Sequence, residues 1–120
     1  MTKARRRAEA RGRRGETLAA WFLRLQGWRV LGRRVRTPRG EVDLVVRRGR
    51  TVCFVEVKWR RDPTSRDLAI DSRRLRRVES AVEVIAARYA RPGDSVRIDV
   101  LLLSPGRWPR RIENASQFGA

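Results

Sequence analysis

Two adjacent apolar-rich runs, Glu41 to Arg48 (EVDLVVRR) and Thr51 to Arg60 (TVCFVEVKWR), carry Glu41, Asp43, Glu56 and Lys58 among residues suited to a core. Charges inside such runs are expensive unless something neutralises them. Period-two alternation puts Glu41, Asp43 and Val45 on one face of the first strand, and Val52, Phe54, Glu56 and Lys58 on one face of the second. Gly49 and Arg50 separate the runs. A type II′ turn there, with Gly supplying the positive φ, pairs 48 with 51 and 47 with 52. Continued outward, that register sets Asp43 opposite Glu56 and Glu41 opposite Lys58. A four-residue loop would keep these groups on one face; a three-residue loop would not.

Two carboxylates roughly 5 Å apart repel by roughly 3 kcal/mol at an effective dielectric near 20. A divalent cation held by Asp43 and Glu56 would turn that repulsion into a site. Mg²⁺, or Mn²⁺ in its place, suits it, since Mg²⁺ takes one or two carboxylates and keeps waters and phosphate oxygens. The chemistry expected is metal-assisted phosphodiester hydrolysis catalysed by Asp43, Glu56 and Lys58. The ion polarises the phosphate and activates water, while Lys58 orients that water or offsets charge on the phosphate oxygens. Only Lys3 and Lys58 among the thirty basic residues are lysine, so a lysine inside a strand suggests a need for a compact ammonium. The competing reading is a structural salt-bridge triad. For Glu41, pairing with Lys58 or solvent accounts for the charge.

Thirty basic against thirteen acidic side chains leave a net charge of +17, which attracts polyanions and favours counterion release. Nucleic acid is the expected partner, the charge alone leaving DNA and RNA both open. Arg33, Arg34, Arg36, Arg39, Arg60, Arg61, Arg73, Arg74 and Arg77 fall at element ends, where they would grip the phosphate backbone without reading sequence; a further cluster covers 47 to 50. An arginine-biased, merely solvated coat is the plain alternative. No basic amphipathic helix with a large exposed apolar face is evident, so no membrane partner is expected. One cysteine, Cys53, and no histidine exclude an internal disulfide and make zinc a poor candidate. The apolar stretch Leu18 to Leu23 is too short for a signal or a span, so a cytoplasmic location is expected.

These residues must be positioned by a single domain, as the length implies. Residues 1–14 read as a frayed or solvated basic arm and 15–120 as the domain. Glu16 to Gly27 is apolar nearly all round from Leu18 to Leu25, which predicts a buried helix with Gly27 as its C′ residue. Trp28 to Arg36 predicts a strand of imperfect alternation, followed by the hairpin. Residues 61–71 predict a mobile loop. Val78, Ala81, Val82, Ile85, Ala86 and Tyr89 predict a long helix stopped at Pro92. Val96 to Leu103 predicts a further strand, with a short one around Ile112. The order predicts an α/β fold with a mixed β-sheet and flanking helices. Trp21 and Trp28 are expected in the core; Trp59 and Trp108 lie beside arginine, where packing or base stacking are both open.

The blocks G-E-V-D-L-V-V (Gly40 to Val46) and F-V-E-V-K-W-R (Phe54 to Arg60) resemble the D…(D/E)-x-K site of the restriction-endonuclease-like superfamily. The ordered set from Gly15 to about Ala115, with Arg97-Ile98-Asp99-Val100 and the Ile112 to Ala115 tail, is similar to the YraN-like family of bacterial proteins. The resemblance implies an α-β-β-β-α-β core and, by analogy with archaeal Holliday-junction resolvases, a nuclease-type use of Glu16, Asp43, Glu56 and Lys58. It further implies branched DNA as substrate and a homodimer. Glu16 and the Val57 carbonyl would join Asp43 and Glu56 as metal ligands. Where that family commonly has lysine near the start of the second helix, this chain has Arg74. Fold does not carry activity, and a non-catalytic nucleic-acid-binding module or an interaction protein for an acidic partner are the other readings.

Overall fold

The computed structural model describes residues 2–61 and 72–113, with side chains described outside 5–13 and 72. The elements run α1 (Lys3–Leu25), β1 (Arg29–Thr37), β2 (Gly40–Arg48), β3 (Thr51–Trp59), α2 (Ser72–Tyr89), β4 (Ser95–Leu103) and β5 (Arg110–Ile112). The five strands lie in chain order in one mixed sheet. β1, β2 and β3 form an antiparallel meander, β4 joins β3 in parallel after the α2 crossover, and β5 returns antiparallel. A parallel pair needs such a crossover, and a helix that packs back on the sheet supplies it. The predicted α/β class and element order hold. Most of the predicted loop 61–71 lies outside the described residues.

The two helices cover opposite faces of the sheet. On one, Ala19, Ala20 and Leu23 of α1 pack with Leu44, Val46, Cys53, Val55, Leu101 and Leu103. On the other, Val78, Ala81, Val82 and Ile85 of α2 pack with Val42, Val45, Val52, Phe54 and Ile98. β3 therefore alternates strictly, its odd-numbered residues toward α1 and its even-numbered ones toward α2. The imperfect alternation of β1 is a bulge between Val30 and Gly32. The α1 terminus closes as expected, Trp28 N–H donating to Leu23 O and Gly27 N–H to Arg24 O, both at 3.0 Å.

Two expectations for α1 are corrected. The helix starts at Lys3, so the basic arm is helical rather than frayed. Alanine, arginine and glutamate are strong helix formers, and no proline interrupts them. Nor is α1 buried all round. Trp21 is 59% exposed and Leu25 81%, while Trp28 is in the core, because the sheet covers only one stripe of the helix. No helix among the described residues is long and apolar enough to cross a membrane.

Candidate active site

The β2–β3 hairpin turns at Gly49 and Arg50 in the predicted register, with Arg48 against Thr51 and Leu44 against Val55. Gly49 has φ 61°, and Arg34 is the sole non-glycine with positive φ among the described residues, which makes the turn type II′. Beyond Leu44 the ladder stops. Val42 and Val45 both pack toward α2 while Leu44 packs toward α1, so β2 changes face over Asp43 and Leu44 and parts from β3 there. The expected cross-strand stacking of Asp43 on Glu56 does not form. Asp43 fills the gap instead, its Oδ2 accepting the Val57 N–H at 2.8 Å.

That position puts Asp43 among acids from three elements. One carboxylate oxygen each from Glu16 of α1, Glu41 and Asp43 lie within 4.8 Å of one another. Glu56 is near enough that its charge, after burial, is the next largest influence on Asp43; Glu16 adds to it, and the Val57 amide and Arg74 oppose it. The balance lifts the Asp43 carboxyl from its ordinary 3.8 to about 7. Burial removes water from the charged form, and like charges disfavour it further. Glu56 and Lys58 are both buried and project from β3 toward α2, as alternation predicts. Val57 enters through its amide, with its side chain packed on the α1 cluster.

The other acids each meet an arginine. Arg34 Nε donates to Glu16 Oε2 at 2.7 Å, Arg74 Nε to Glu56 Oε1 at 2.5 Å, and Arg36 pairs with Glu41 at 3.4 Å across β1 and β2. Three arginines expected to grip phosphate are thus held on site carboxylates. Glu41, for which Lys58 or solvent was the expected partner, belongs to the acidic cluster; sequence reasoning missed it because its neighbours depend on where β2 parts from β3. Arg33 donates to Thr17 Oγ1, Arg39 to Glu83, and Arg60 to the Trp59 carbonyl, while Arg61 is exposed.

The start of α2 roofs the site. Gly40, Glu41, Asp43, Glu56, Arg73, Arg74, Arg77 and Val78 line an open cleft of about 600 Å³. Arg39, Arg73, Arg76, Arg77 and Ser80 line an adjoining depression of about 430 Å³. Gly40 permits this approach: at φ +153° a Cβ there would stand 3.2 Å from the Arg77 carbonyl oxygen. The cleft thus opens beside the carboxyl end of β3, with acids on its floor and arginines on its rim. The cluster at 47 to 50 lies at the other end of the hairpin. Arg47 there makes a two-bond pair with Asp94, at 2.9 and 3.0 Å.

Residues 15–103 match the model of Uncharacterised protein family UPF0102. A UPF0102 protein of Sphingopyxis alaskensis is 61% identical over 117 residues, covering 98% of this chain and 99% of its own length. One from Erythrobacter litoralis is 56% identical, covering 92% of this chain and 95% of its own. One from Parvibaculum lavamentivorans is 48% identical over 87% of this chain and 79% of its own length.

Proposed function

The chain belongs to Uncharacterised protein family UPF0102, and we propose that it is a nucleic-acid-binding protein that hydrolyses phosphodiester bonds of DNA as a divalent-metal-dependent endonuclease. The observation that carries this reading is the acidic floor beneath the arginine rim, with Asp43 placed beside Glu16, Glu41 and Glu56. The donor set fits Mg²⁺ or Mn²⁺, being hard oxygens alone. One carboxylate oxygen each of Glu16, Glu41 and Asp43 lie within 4.8 Å of one another. Asp43, Glu16 and Glu41 would hold the ion with Glu56 beside them.

Bound there, the ion supplies Lewis-acid polarisation of the phosphate and a lowered pKa for water. The protein's own part is positional and electrostatic. Arg39, Arg73 and Arg77 attract the backbone to the cleft, and Lys58 offsets charge growing on the phosphate oxygens. A cation at this site would favour the ionised form of Asp43, the form that acts as a ligand. A second reading, a binding module that does not cut, is favoured by the Arg34–Glu16 and Arg74–Glu56 pairs, which neutralise two of the acids without any ion.

The test is cleavage of a panel of branched and linear DNAs with and without Mg²⁺ or Mn²⁺, beside calorimetric titration of the metal. Wild type is expected to bind the ion and cut. Asp43→Asn and Glu56→Gln should each abolish cutting, while metal-free DNA binding holds or tightens as a negative charge is removed. Wild type that neither binds metal nor cuts any substrate refutes the enzyme and leaves the binding module.

A further inference from the structure

Besides the face on the sheet, α1 presents a second apolar stripe: Leu18, Trp21, Phe22 and Leu25 recur at i, i+3, i+4 and i+7 and line an open groove of about 570 Å³. Two more tryptophans complete it. Trp59 ends β3 in register with Leu103, where the Arg60 N–H donates to the Leu103 carbonyl at 2.8 Å. Trp108 stands 84% exposed in the connection between β4 and β5. A helix left apolar on a solvent-facing side, with three accessible indoles beside it, marks a contact surface, and the proposed chemistry does not use it.

Charge selects the occupant. No acidic side chain lines the groove, Arg107 does, and the Arg24 guanidinium lies 5.9 Å over the Trp21 ring. A second copy would bring another +17 against this rim, which opposes association. A ligand that is flat and apolar on its faces yet anionic along its length suits indoles bordered by arginine. The groove also lies at the same end of β3 as the acidic cleft, on the other face of the sheet, since Trp59 directly follows Lys58.

We propose that this tryptophan groove is a stacking site for unpaired bases of single-stranded DNA. Resting on the nuclease reading, it assigns the substrate class: DNA whose duplex adjoins an unpaired segment, as at a flap, fork or junction.

The test is fluorescence anisotropy of the full chain, without metal, on labelled oligodeoxythymidylate of about 12 nucleotides and a duplex of equal length. Trp108→Ala and Trp21→Ala, both at exposed positions, should each loosen the single-strand Kd roughly tenfold, as the loss of one stacked base implies. The ratio of single-strand to duplex affinity should fall with it, and Trp108→Phe should recover most of the loss. Unchanged single-strand affinity in the double alanine variant overturns the proposal, as does an equal loss on strand and duplex. A dimer in sedimentation that Trp108→Ala dissociates gives the groove to a second copy and overturns it too. Tighter, tryptophan-dependent binding of oligouridylate gives it to RNA, with the same result. The assay reads binding alone, so a failure of cleavage sinks the nuclease without touching this result, and the converse also holds.

Discussion

Replacing Asp43 by Asn should flatten the pH dependence of stability. The folded carboxyl titrates near 7 against an ordinary 3.8. Between those values the folded chain keeps a proton that the unfolded chain has lost, so stability falls as pH rises. The contribution is full below 3.8, fades across the interval and is gone above about 7. At 1.36 kcal/mol per pH unit the whole difference is roughly 4 kcal/mol. With a urea slope of about 1.5 kcal/mol/M, wild type should lose on the order of 2–3 M in midpoint between acid and alkaline buffers through this group alone. Asn still accepts the Val57 N–H but cannot ionise, so Asp43→Asn should be the more stable protein at about pH 8.5 and should lack that component of the slope. Urea titrations of both proteins across the range read the difference, which cancels the exposed acids common to both. Parallel midpoint curves would refute the placement of Asp43 among buried acids. Under the nuclease reading, Mg²⁺ should restore wild type above pH 7 and leave Asp43→Asn unmoved.

Gly40→Ala should destabilise by about 1–3 kcal/mol, since a Cβ meets the Arg77 carbonyl oxygen at 3.2 Å in a backbone conformation that side chains resist. An unchanged thermal midpoint would mean that α2 does not approach β2 this closely. Asp99→Asn should cost roughly 3 kcal/mol in urea unfolding. Asp99 is fully buried, its two oxygens receiving Arg97 Nε at 3.2 Å and Nη2 at 3.0 Å, and Arg111 Nε stands 3.5 Å away. A change under about 0.5 kcal/mol, the size of an exposed pair, would refute that burial.

What the sequence made legible was whatever rested on local chemistry. Gly49-Arg50 fixed the hairpin turn and its register, Gly27 fixed the end of α1, and the step pattern from Val78 to Tyr89 located α2. Periodicity alone could not show where a strand stops pairing. Asp43 and Leu44 look like ordinary alternating positions, yet β2 changes face across them, and this brings Glu41 into the cluster and turns Asp43 toward the Val57 amide. The sequence also could not tell which arginines the site acids engage, because Arg34 and Arg74 pair with Glu16 and Glu56 from other elements and Arg36 with Glu41 across β1 and β2. Trp21 was illegible for a related reason. An apolar residue on an all-apolar helix reads as core, and only the width of the covering sheet shows that one stripe is left outside.

Those arginine pairs bear on both readings of the site, and their magnitudes decide how much weight they carry. The Arg74 side chain is 56% exposed although Glu56 is buried, so solvent screens the cation and weakens the pair. Arg36 is more exposed still against a part-exposed Glu41. A divalent ion would displace either at small cost, gaining from the roughly 4 kcal/mol by which burial and neighbouring acids disfavour an ionised Asp43. Of these pairs, the one with the least exposed cation is Arg34–Glu16, the Arg34 side chain being 37% exposed, so solvent screens it least. A metal at this site would engage Asp43 and Glu41 first, with the Arg34 guanidinium left in place on Glu16 as the neighbouring positive charge that limits how tightly the ion is held.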